Sequence, residues 1–432
     1  MPVPPVSRKE VAAWCLYDFA NSAFTTIIVT VAYSVYFTQV VAEGHDPEAW
    51  WGRGYAISMI LAGLMAPVLG AVSDYSKSRK FFLVGLTIAC VIPTALLFFV
   101  QAGDIVLGLA LFIAANLFYT GALAFYDSFL KDVSTPSSMG RISGFGWSLG
   151  YLGGLIALVL IYPLVQGGFG PENRMAYRMS FPATAVFFLL FSLPTFMFLK
   201  ERGKRPEKKA GVSLWTVGFR RIGRTFSEIR RFKELVKFFV AFLIYGDGIH
   251  TVFVFAAIFA TVELGFSPAD LIVFFIVMQV SSGLGAFLFG FVTDRIGPKR
   301  TILITLVIWM AVIGWAYGVR TQFEFYLVGT LAGMAMGSCQ SASRTLLGLF
   351  TPSGRSAEFF GFFSMTGKLA AVLGPLVYGE ITGITGNQRI ALLSIGGFFL
   401  VGFFVLTTVR EEAGMRAVRE EAEGNEGATF CS

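Results

Sequence analysis

Charged residues are scarce in this chain of 432 residues, where they make up 14% of the sequence. A soluble domain carries about 25% charged residues, so the chain lacks the charge needed to cover a surface in water. Cysteine is also rare: three of the four cysteines lie in apolar runs and one in the tail, without the paired spacing of a disulfide framework or a zinc site. The sequence also lacks a nucleotide-binding loop, a metal cluster and a nucleophile constellation. We therefore expect no cofactor, no primary pump and no enzyme.

The chain is instead rich in long apolar runs, and apolar residues make up 55% of it. A helix needs about 20 apolar residues to cross the hydrocarbon core of a bilayer. The first run is too long for the apolar region of a cleaved signal peptide, so we expect it to be retained. The pattern predicts an all-α integral membrane protein with twelve spans, at residues 12–41, 52–72, 81–101, 105–129, 142–166, 178–199, 236–262, 269–293, 301–319, 323–349, 357–384 and 389–409.

The net charge of +7 comes from basic residues in the loops between these runs, not from a basic face on a soluble domain, so we expect no nucleic-acid partner. Lys and Arg collect on one side of the predicted spans, which marks that side as cytoplasmic. The interpretation is a multi-pass protein of the cell (inner) membrane with both termini in the cytoplasm.

One long loop and the tail interrupt this pattern. Residues 200–235 form a cytoplasmic linker whose apolar residues recur at helical spacing among arginines, which predicts a basic amphipathic helix on anionic lipid of the inner leaflet. A role for the linker in regulation or partner binding is the alternative. Residues 410–432 are rich in Glu and Gly and are predicted to be a disordered tail. The linker separates a six-helix bundle at 1–199 from a second at 236–409.

The two halves carry related sequences. Residues 70–80 read GAVSDYSKSRK and residues 290–300 read GFVTDRIGPKR, about half the chain apart, and each stretch follows a predicted span. A second match joins 141–150 to 358–367, at the start of the fifth and eleventh spans. Parallel repeats of this kind are typical of transporters built from two six-helix halves.

The pattern Gly-x-x-x-Asp-Arg-x-Gly-x-Lys/Arg-Lys/Arg in these loops resembles the signature of the major facilitator superfamily, although Tyr75 and Lys77 depart from it in the first copy. Three further stretches, at 14–24, 144–154 and 343–368, resemble the vacuole-effluxer-like branch, whose fungal members are similar to amino-acid exporters of the vacuole. The resemblance implies two pseudo-symmetric six-helix bundles, alternating access and efflux, with amino acids as candidate substrates.

The signature loops are predicted to gate the pathway by holding the two halves together on the cytoplasmic side. Glycine permits close helix approach, and aspartate can accept hydrogen bonds from a helix N-terminus or an arginine. The alternative for the basic residues is that they only fix topology. The predicted gating residues are Gly70, Asp74, Arg79, Lys80, Gly290, Asp294, Arg295, Gly297, Lys299 and Arg300.

Ionisable residues inside the predicted spans are functional candidates, because burying one costs at least about 2.5–3.5 kcal/mol on insertion scales. Asp18, Asp247, His250 and Lys368 lie at depths that would let them converge near the midplane. A carboxylate near a histidine is suited to carrying a proton, so Asp18 or Asp247 is the predicted coupling residue. The alternative is a polar clamp between the first and seventh helices. Lys368 needs an anionic partner, which would be Asp18, Asp247 or a substrate carboxylate.

Weaker candidates complete the predicted pathway. Asp127, Arg344 and Glu380 lie near helix ends. A gate contact and simple solvation explain them equally well. The remaining candidates for lining the pathway are Asn21, Asn116, Tyr119, Gln279 and Gln340.

The sequence thus predicts a secondary transporter that works as a monomer and couples the efflux of a small solute to protons. A proton-linked drug exporter and a sugar or metabolite transporter are the alternatives within the class. The fourth span has no Arg-x-x-x-Gly element and the fifth lacks the Gly-Pro pattern of antiporters, which disfavours the drug exporter. The alternative from another class is a receptor or scaffold that does not transport.

Overall fold

The computed structural model describes residues 6–76, 78–202, 231–352 and 354–430, together with Thr216, Gly218, Arg220 and Gly223. For residues 422–430 only the backbone is described. Apart from those four positions, the predicted amphipathic segment of the linker lies outside the described residues.

Twelve long helices and a thirteenth, polar terminal helix account for most of the described residues. They are α1 (Arg8–Val41), α2 (Pro47–Ser76), α3 (Arg79–Phe99), α4 (Ile105–Val133), α5 (Met139–Val165), α6 (Arg174–Phe198), α7 (Lys233–Leu264), α8 (Pro268–Ile296), α9 (Pro298–Gly318), α10 (Gln322–Phe350), α11 (Ser356–Thr385), α12 (Gln388–Thr407) and α13 (Glu411–Phe430).

Eleven of these helices are long and apolar enough to cross a membrane. The exception among the twelve is α10, which has 29 residues but carries a buried arginine and several serines among its apolar residues. It packs against α8 and α9, so it takes the twelfth place in the bundle despite its polarity. The predicted all-α membrane fold is confirmed.

Two separate hydrophobic cores divide the helices into halves. The first core draws on α1 to α6 and is crowded with stacked aromatic rings, such as Trp14 on Tyr126 at 4.7 Å between centroids. The second draws on α7 to α12, with Trp309 stacked on Phe399 at 5.1 Å. Each half therefore has its own packed core.

The halves meet chiefly through two pairs of helices, α2 with α11 and α5 with α8, and also where α10 meets α5 and α11 meets α4. Glycine makes both of the chief approaches possible. A Cβ on Gly70 would lie 2.2 Å from the carbonyl oxygen of Ala357, and one on Gly144 would lie 2.4 Å from that of Ala286. Small residues at membrane helix contacts let backbones pack closely, and both contacts lie toward the side that bears the α2–α3 and α8–α9 loops, hereafter the signature side.

Departures from regular helical geometry in α1 and α11 bear on the candidate site. In α1 the backbone widens into a π-helix at Phe24–Val31, and α11 is interrupted between an inner segment, Ser356–Leu369, and an outer segment, Leu373–Thr385. The sequence predicted one continuous span at 357–384. Broken helices in membrane proteins are tolerated where other groups satisfy the freed backbone, and in transporters they often mark a binding site.

The tail differs from the prediction of disorder. Residues Glu411–Phe430 form α13, which crosses the ends of α7 and α10 on the signature side. Gly414 packs on the ring of Phe350, and Arg355 pairs with Glu421 at 3.3 Å. These tertiary contacts hold the Glu-rich segment against the bundle, and its composition alone does not reveal them.

Candidate functional site

Each signature aspartate binds the start of a helix in the opposite half. The carboxylate of Asp74 accepts a hydrogen bond from the backbone N–H of Glu358 at 2.9 Å, near the N-terminus of α11. The carboxylate of Asp294 accepts one from the N–H of Gly140 at 2.7 Å, near the N-terminus of α5. Helix N-termini favour anions, so two pseudo-symmetric contacts hold the halves together on the signature side.

The basic residues of the two loops behave differently. Arg79 lies 2.9 Å from Asp132, 3.3 Å from Glu201 and 3.9 Å from Asp74, and so ties the first half to the start of the linker. The backbone N–H of Lys80 also donates to Glu201. The first loop therefore forms a charge network within its own half.

In the second loop, the cation beside Asp294 is Arg141, at 3.5 Å, which lies on α5 and not in the signature. Arg295 and Arg300 form no ion pair within the part of the chain that the structure describes. Lys299 donates to the carbonyl of Thr407, and Gly297 adopts a φ of 88° that few residues other than glycine tolerate. The second copy thus matches the signature better in sequence but forms fewer of its ion pairs.

A buried arginine forms the centre of a second contact between the halves. Arg344 of α10 is 2% exposed, and its Nη1 donates to Asp18 of α1 at 3.0 Å and to Asp127 of α4 at 2.9 Å. Its Nε and Nη2 donate to the hydroxyl and carbonyl of Ser143 of α5, at 3.0 and 2.8 Å. One guanidinium from the second half therefore binds three helices of the first.

Aromatic rings enclose this guanidinium. Its carbon lies 4.8 Å from the ring centroid of Trp14, 5.3 Å from Trp147 and 5.8 Å from Tyr126. Such faces attract cations and exclude water. Two carboxylates against one guanidinium leave this buried cluster with one excess negative charge, which a single proton would neutralise. Hereafter Asp18, Asp127 and Arg344 are called the shared-arginine cluster.

The prediction for Asp18 requires correction in one respect. The proposed clamp joined the first and seventh helices, whereas its carboxylate binds α10. Asn21 donates to Asp18 at 3.4 Å and accepts from the hydroxyl of Tyr119 at 3.2 Å. The candidate Asn116 lies elsewhere in the same half and donates to Ser58 at 2.7 Å. Asp18, Asn21 and Tyr119 are therefore contiguous, and Asn116 is not bonded to them.

Asp247 lies at the interruption of α11. Its two carboxylate oxygens accept from the backbone N–H groups of Leu373 at 3.0 Å and Gly374 at 2.9 Å, the first two residues of the outer segment. A Cβ on Gly374 would lie 2.0 Å from the hydroxyl of Thr251, so glycine lets the segment reach α7. The aspartate thus caps, from a neighbouring helix, backbone groups that the break leaves free.

Lys368 lies just before the break and has no carboxylate partner among the described residues. Its expected partners are engaged elsewhere, because Asp18 binds Arg344 and Asp247 binds backbone. Lys368 also follows Glu358, Gly361 and Met365, three of the residues of α11 that touch α2, at helical spacing. Its side of the helix therefore continues the face that meets the other half.

His250 lies on α7, one turn beyond Asp247, and its side chain is exposed. Lys368 is the charged residue that acts on it electrostatically. The four ionisable candidates therefore do not form one group: Asp18 belongs to the shared-arginine cluster, whereas Asp247, His250 and Lys368 surround the break in α11.

The remaining candidates lie between the halves or on the surface. Gln340 of α10 accepts a hydrogen bond from the hydroxyl of Tyr151 of α5. Gln279 of α8 lies near Gly154 of α5, whose added Cβ would be 3.4 Å from its amide nitrogen. Glu380 is exposed and forms no ion pair within the described ranges.

Sequence reasoning gave too little weight to Arg344 and Asp127, and it missed Ser143, Trp14 and Trp147 as their neighbours. The available signal was chemical: an arginine in a run of small residues needs both a carboxylate and an aromatic or polar lining. The position of these residues near helix ends concealed how deeply the helices bury them.

Comparison with known proteins supports a specific family. Residues 54–139 and 131–419 match the model of the vacuole effluxer Atg22-like family. The chain belongs to this family. A relative named "Uncharacterized MFS-type transporter YxiO", from Bacillus subtilis, is 29% identical over 94% of this chain and 95% of its own length. The Autophagy-related protein 22 of Yarrowia lipolytica is 30% identical over 66% of this chain, which matches about half of that protein (52%).

The same fold occurs in a solved structure of the human organic anion transporter MFSD10. Its TM-score with this chain is 0.75 at 16% identity, over 93% of this chain and 100% of that one. The structural likeness shows the fold, and the family match and the MFS-type relative make this chain a multi-pass transporter of the major facilitator type, a class that moves small molecules across membranes. The expectation of a transporter and not an enzyme is confirmed by this family membership.

Proposed function

We propose that this chain is a proton-coupled exporter that moves a small solute with a carboxylate group, amino acids first, by alternating access. The observation that carries the proposal is the shared-arginine cluster, in which Asp18 and Asp127 bind the same Nη1 of Arg344 across the two halves. The contact of Arg344 with the two aspartates must break when the halves rearrange. The charge of the cluster therefore affects that rearrangement.

The proton argument follows from electrostatics. A like charge in a shared site disfavours full ionisation of both carboxylates, and an uncompensated buried charge is costly. Arg344 opposes protonation while the cluster is closed, and we propose that the burial of the two carboxylates outweighs it, so that the closed cluster binds a proton more tightly than a cluster opened to water. By linkage, acid favours the state in which the signature side is closed, and loss of the proton favours opening.

The orientation comes from the distribution of basic residues. The signature side carries the excess of Lys and Arg, so we assign it to the cytoplasm. With Asp74 and Asp294 engaged across the halves, the molecule is closed to the cytoplasm. The outer segment of α11 packs on α7 and α12 of its own half, which fits an outward-open state of a monomer in the cell membrane.

The substrate proposal rests on the break in α11. Lys368 is a cation without a protein carboxylate among the described residues, it lies on the face of α11 that meets the other half, and it is close enough to act electrostatically on His250. A substrate carboxylate would supply the missing anion. The family name, vacuole effluxer, supports export as the direction.

The test is transport by the purified chain in proteoliposomes. We expect an amino acid loaded on one side to exchange across the membrane, and an imposed pH gradient to drive its accumulation. In Asp127→Asn the cluster is neutral without a proton, so exchange should persist while the response to the gradient falls at least tenfold. Glu380→Gln, which removes an exposed carboxylate, is the control and should keep both activities.

Other outcomes would identify the alternatives. Flux of hydrophobic cations or sugars, without amino-acid flux, would reject the proposed substrate class. Ligand binding with no flux of any solute would favour a receptor or scaffold. An unchanged response to the gradient in Asp127→Asn would reject the shared-arginine cluster as the coupling site.

A further inference from the structure

An open pocket of about 1100 Å³ lies on the signature side of the second half, away from the shared-arginine cluster and the break in α11. The ends of α7, α8, α9 and α12 form its floor, and the first two turns of α13 form one wall. All of its lining residues belong to the second half or to α13. The pocket is therefore not part of the pathway between the halves.

Its polar lining is predominantly basic. Five cationic side chains face two carboxylates, those of Glu411 and Glu412. The two lysines are already engaged by the protein: Lys237 donates to Glu234 and to the carbonyl of Thr408, and Lys299 donates to the carbonyl of Thr407. The three arginines of the lining are Arg300, Arg410 and Arg416.

These arginines come from separate elements. Arg300 acts electrostatically on Glu411, but without a contact of ion-pair length. Each is exposed, and none forms an ion pair in the described part of the chain. Arg300 begins α9, whereas Arg410 precedes α13 and Arg416 lies within it. Guanidinium groups bind phosphate oxygens with two parallel hydrogen bonds, so the pocket offers unused donors for a phosphate group.

The apolar surroundings indicate the source of that phosphate. Leu303 lines the pocket, and the next residues along the same helix, Ile304 and Val307, are 42% and 50% exposed. On α12, Phe404 is 60% exposed, and α9 and α12 pack side by side. An apolar surface therefore leads from the cationic pocket toward the membrane interior, which suits a headgroup with attached acyl chains.

We propose that this pocket binds the headgroup of an anionic phospholipid from the leaflet on the signature side. The phosphate would bridge Arg300 of the bundle and Arg416 of α13, with the acyl chains along α9 and α12. Basic pockets between helices at the depth of the lipid headgroups are suited to anionic lipids. The bound lipid would also fasten α13 to the bundle.

The test measures lipid retention by the full-length chain. The protein would be purified from membranes, exchanged into mixed micelles of phosphatidylglycerol and phosphatidylcholine, and examined by native mass spectrometry. We expect selective retention of phosphatidylglycerol. Each basic residue near an anionic lipid contributes about a factor of five in affinity, so Arg300→Gln with Arg416→Gln should weaken retention about thirtyfold. Arg53→Gln with Arg320→Gln, exposed on the opposite side, should not change it.

Two further outcomes would count against the proposal, and a folding control accompanies them. Equal retention of the two lipids, or equal retention by both double variants, would reject a headgroup site. Thermal stabilisation by inorganic phosphate that is lost in Arg300→Gln with Arg416→Gln, without selective lipid retention, would assign the pocket to a soluble anion. Unchanged melting temperatures of both double variants in phosphatidylcholine would show that altered retention does not arise from misfolding.

Discussion

At the scale of single residues, the guanidinium of Arg344 connects parts of the chain that are far apart in sequence. It is separated from Asp18 by 326 residues, and yet the two groups lie 3.0 Å apart. Its burial is tolerated because two carboxylates, the hydroxyl and carbonyl of Ser143 and three aromatic faces replace the water that it loses. No local pattern in the sequence identifies such partners, so the ionisable candidates were predictable by type and not by pairing.

Removing this cation should be strongly destabilising. Arg344→Met leaves Asp18 and Asp127 buried together without a counter-charge, and breaking a buried ion pair costs about 3–5 kcal/mol. We expect a lower melting temperature in detergent that is partly restored by adding Asp18→Asn and Asp127→Asn. If the added substitutions do not restore the melting temperature at all, Arg344 would stabilise the protein through packing alone.

Lys368 should determine recognition of the substrate carboxylate. In a thermal-shift assay, a ligand that binds the native state raises the melting temperature by mass action. We expect stabilisation by amino acids that disappears in Lys368→Ala and is largely kept in Lys368→Arg, which preserves the charge. Equal stabilisation of the Ala variant by the same ligands would remove Lys368 from the binding site.

At the scale of helices, length and apolarity were predictable because the bilayer imposes them. The break in α11 was not, because nothing in the run at 357–384 reveals that Asp247, from α7, supplies the bonds that the backbone loses there. The helical tail α13 was missed for a related reason: its stability depends on tertiary contacts with Phe350 and Arg355. Sequence patterns indicate that a segment requires hydrogen-bond or packing partners, whereas the fold determines which residues supply them.

The glycines that join α2 to α11 allow a direct test of the closed contact. A methyl group in Gly70→Ala would press on the backbone of Ala357, and overpacking of this kind costs about 1–3 kcal/mol. We expect faster hydrogen–deuterium exchange in the peptide that contains Glu358, whose N–H binds Asp74. Gly85→Ala on α3, where a methyl group meets open space, is the control. Exchange rates that are equal in the two variants would contradict a tight contact at Gly70.

At the scale of the whole molecule, two halves with separate cores are joined chiefly by the pairs α2–α11 and α5–α8 and by Arg344. The closed signature side thus depends on contacts near one face, and under the proposed function the shared-arginine cluster would make those contacts sensitive to one proton. The repeat between residues 70–80 and 290–300 predicted the symmetry of the contacts. The repeat did not predict the shared-arginine cluster, which lies outside it and carries the excess negative charge.

The measurement that tests this account most directly is the distance between spin labels across the halves as a function of pH. One pair, Ser137→Cys with Arg295→Cys, reports on the signature side, and another, His45→Cys with Thr385→Cys, on the opposite side; all four positions are exposed. Raising the pH should lengthen the first distance and shorten the second, because the closed cluster binds the proton more tightly. In Asp127→Asn both distances should stay at their low-pH values. Distances that do not change with pH, or that change equally in Asp127→Asn, would contradict proton-controlled closure by Asp18, Asp127 and Arg344.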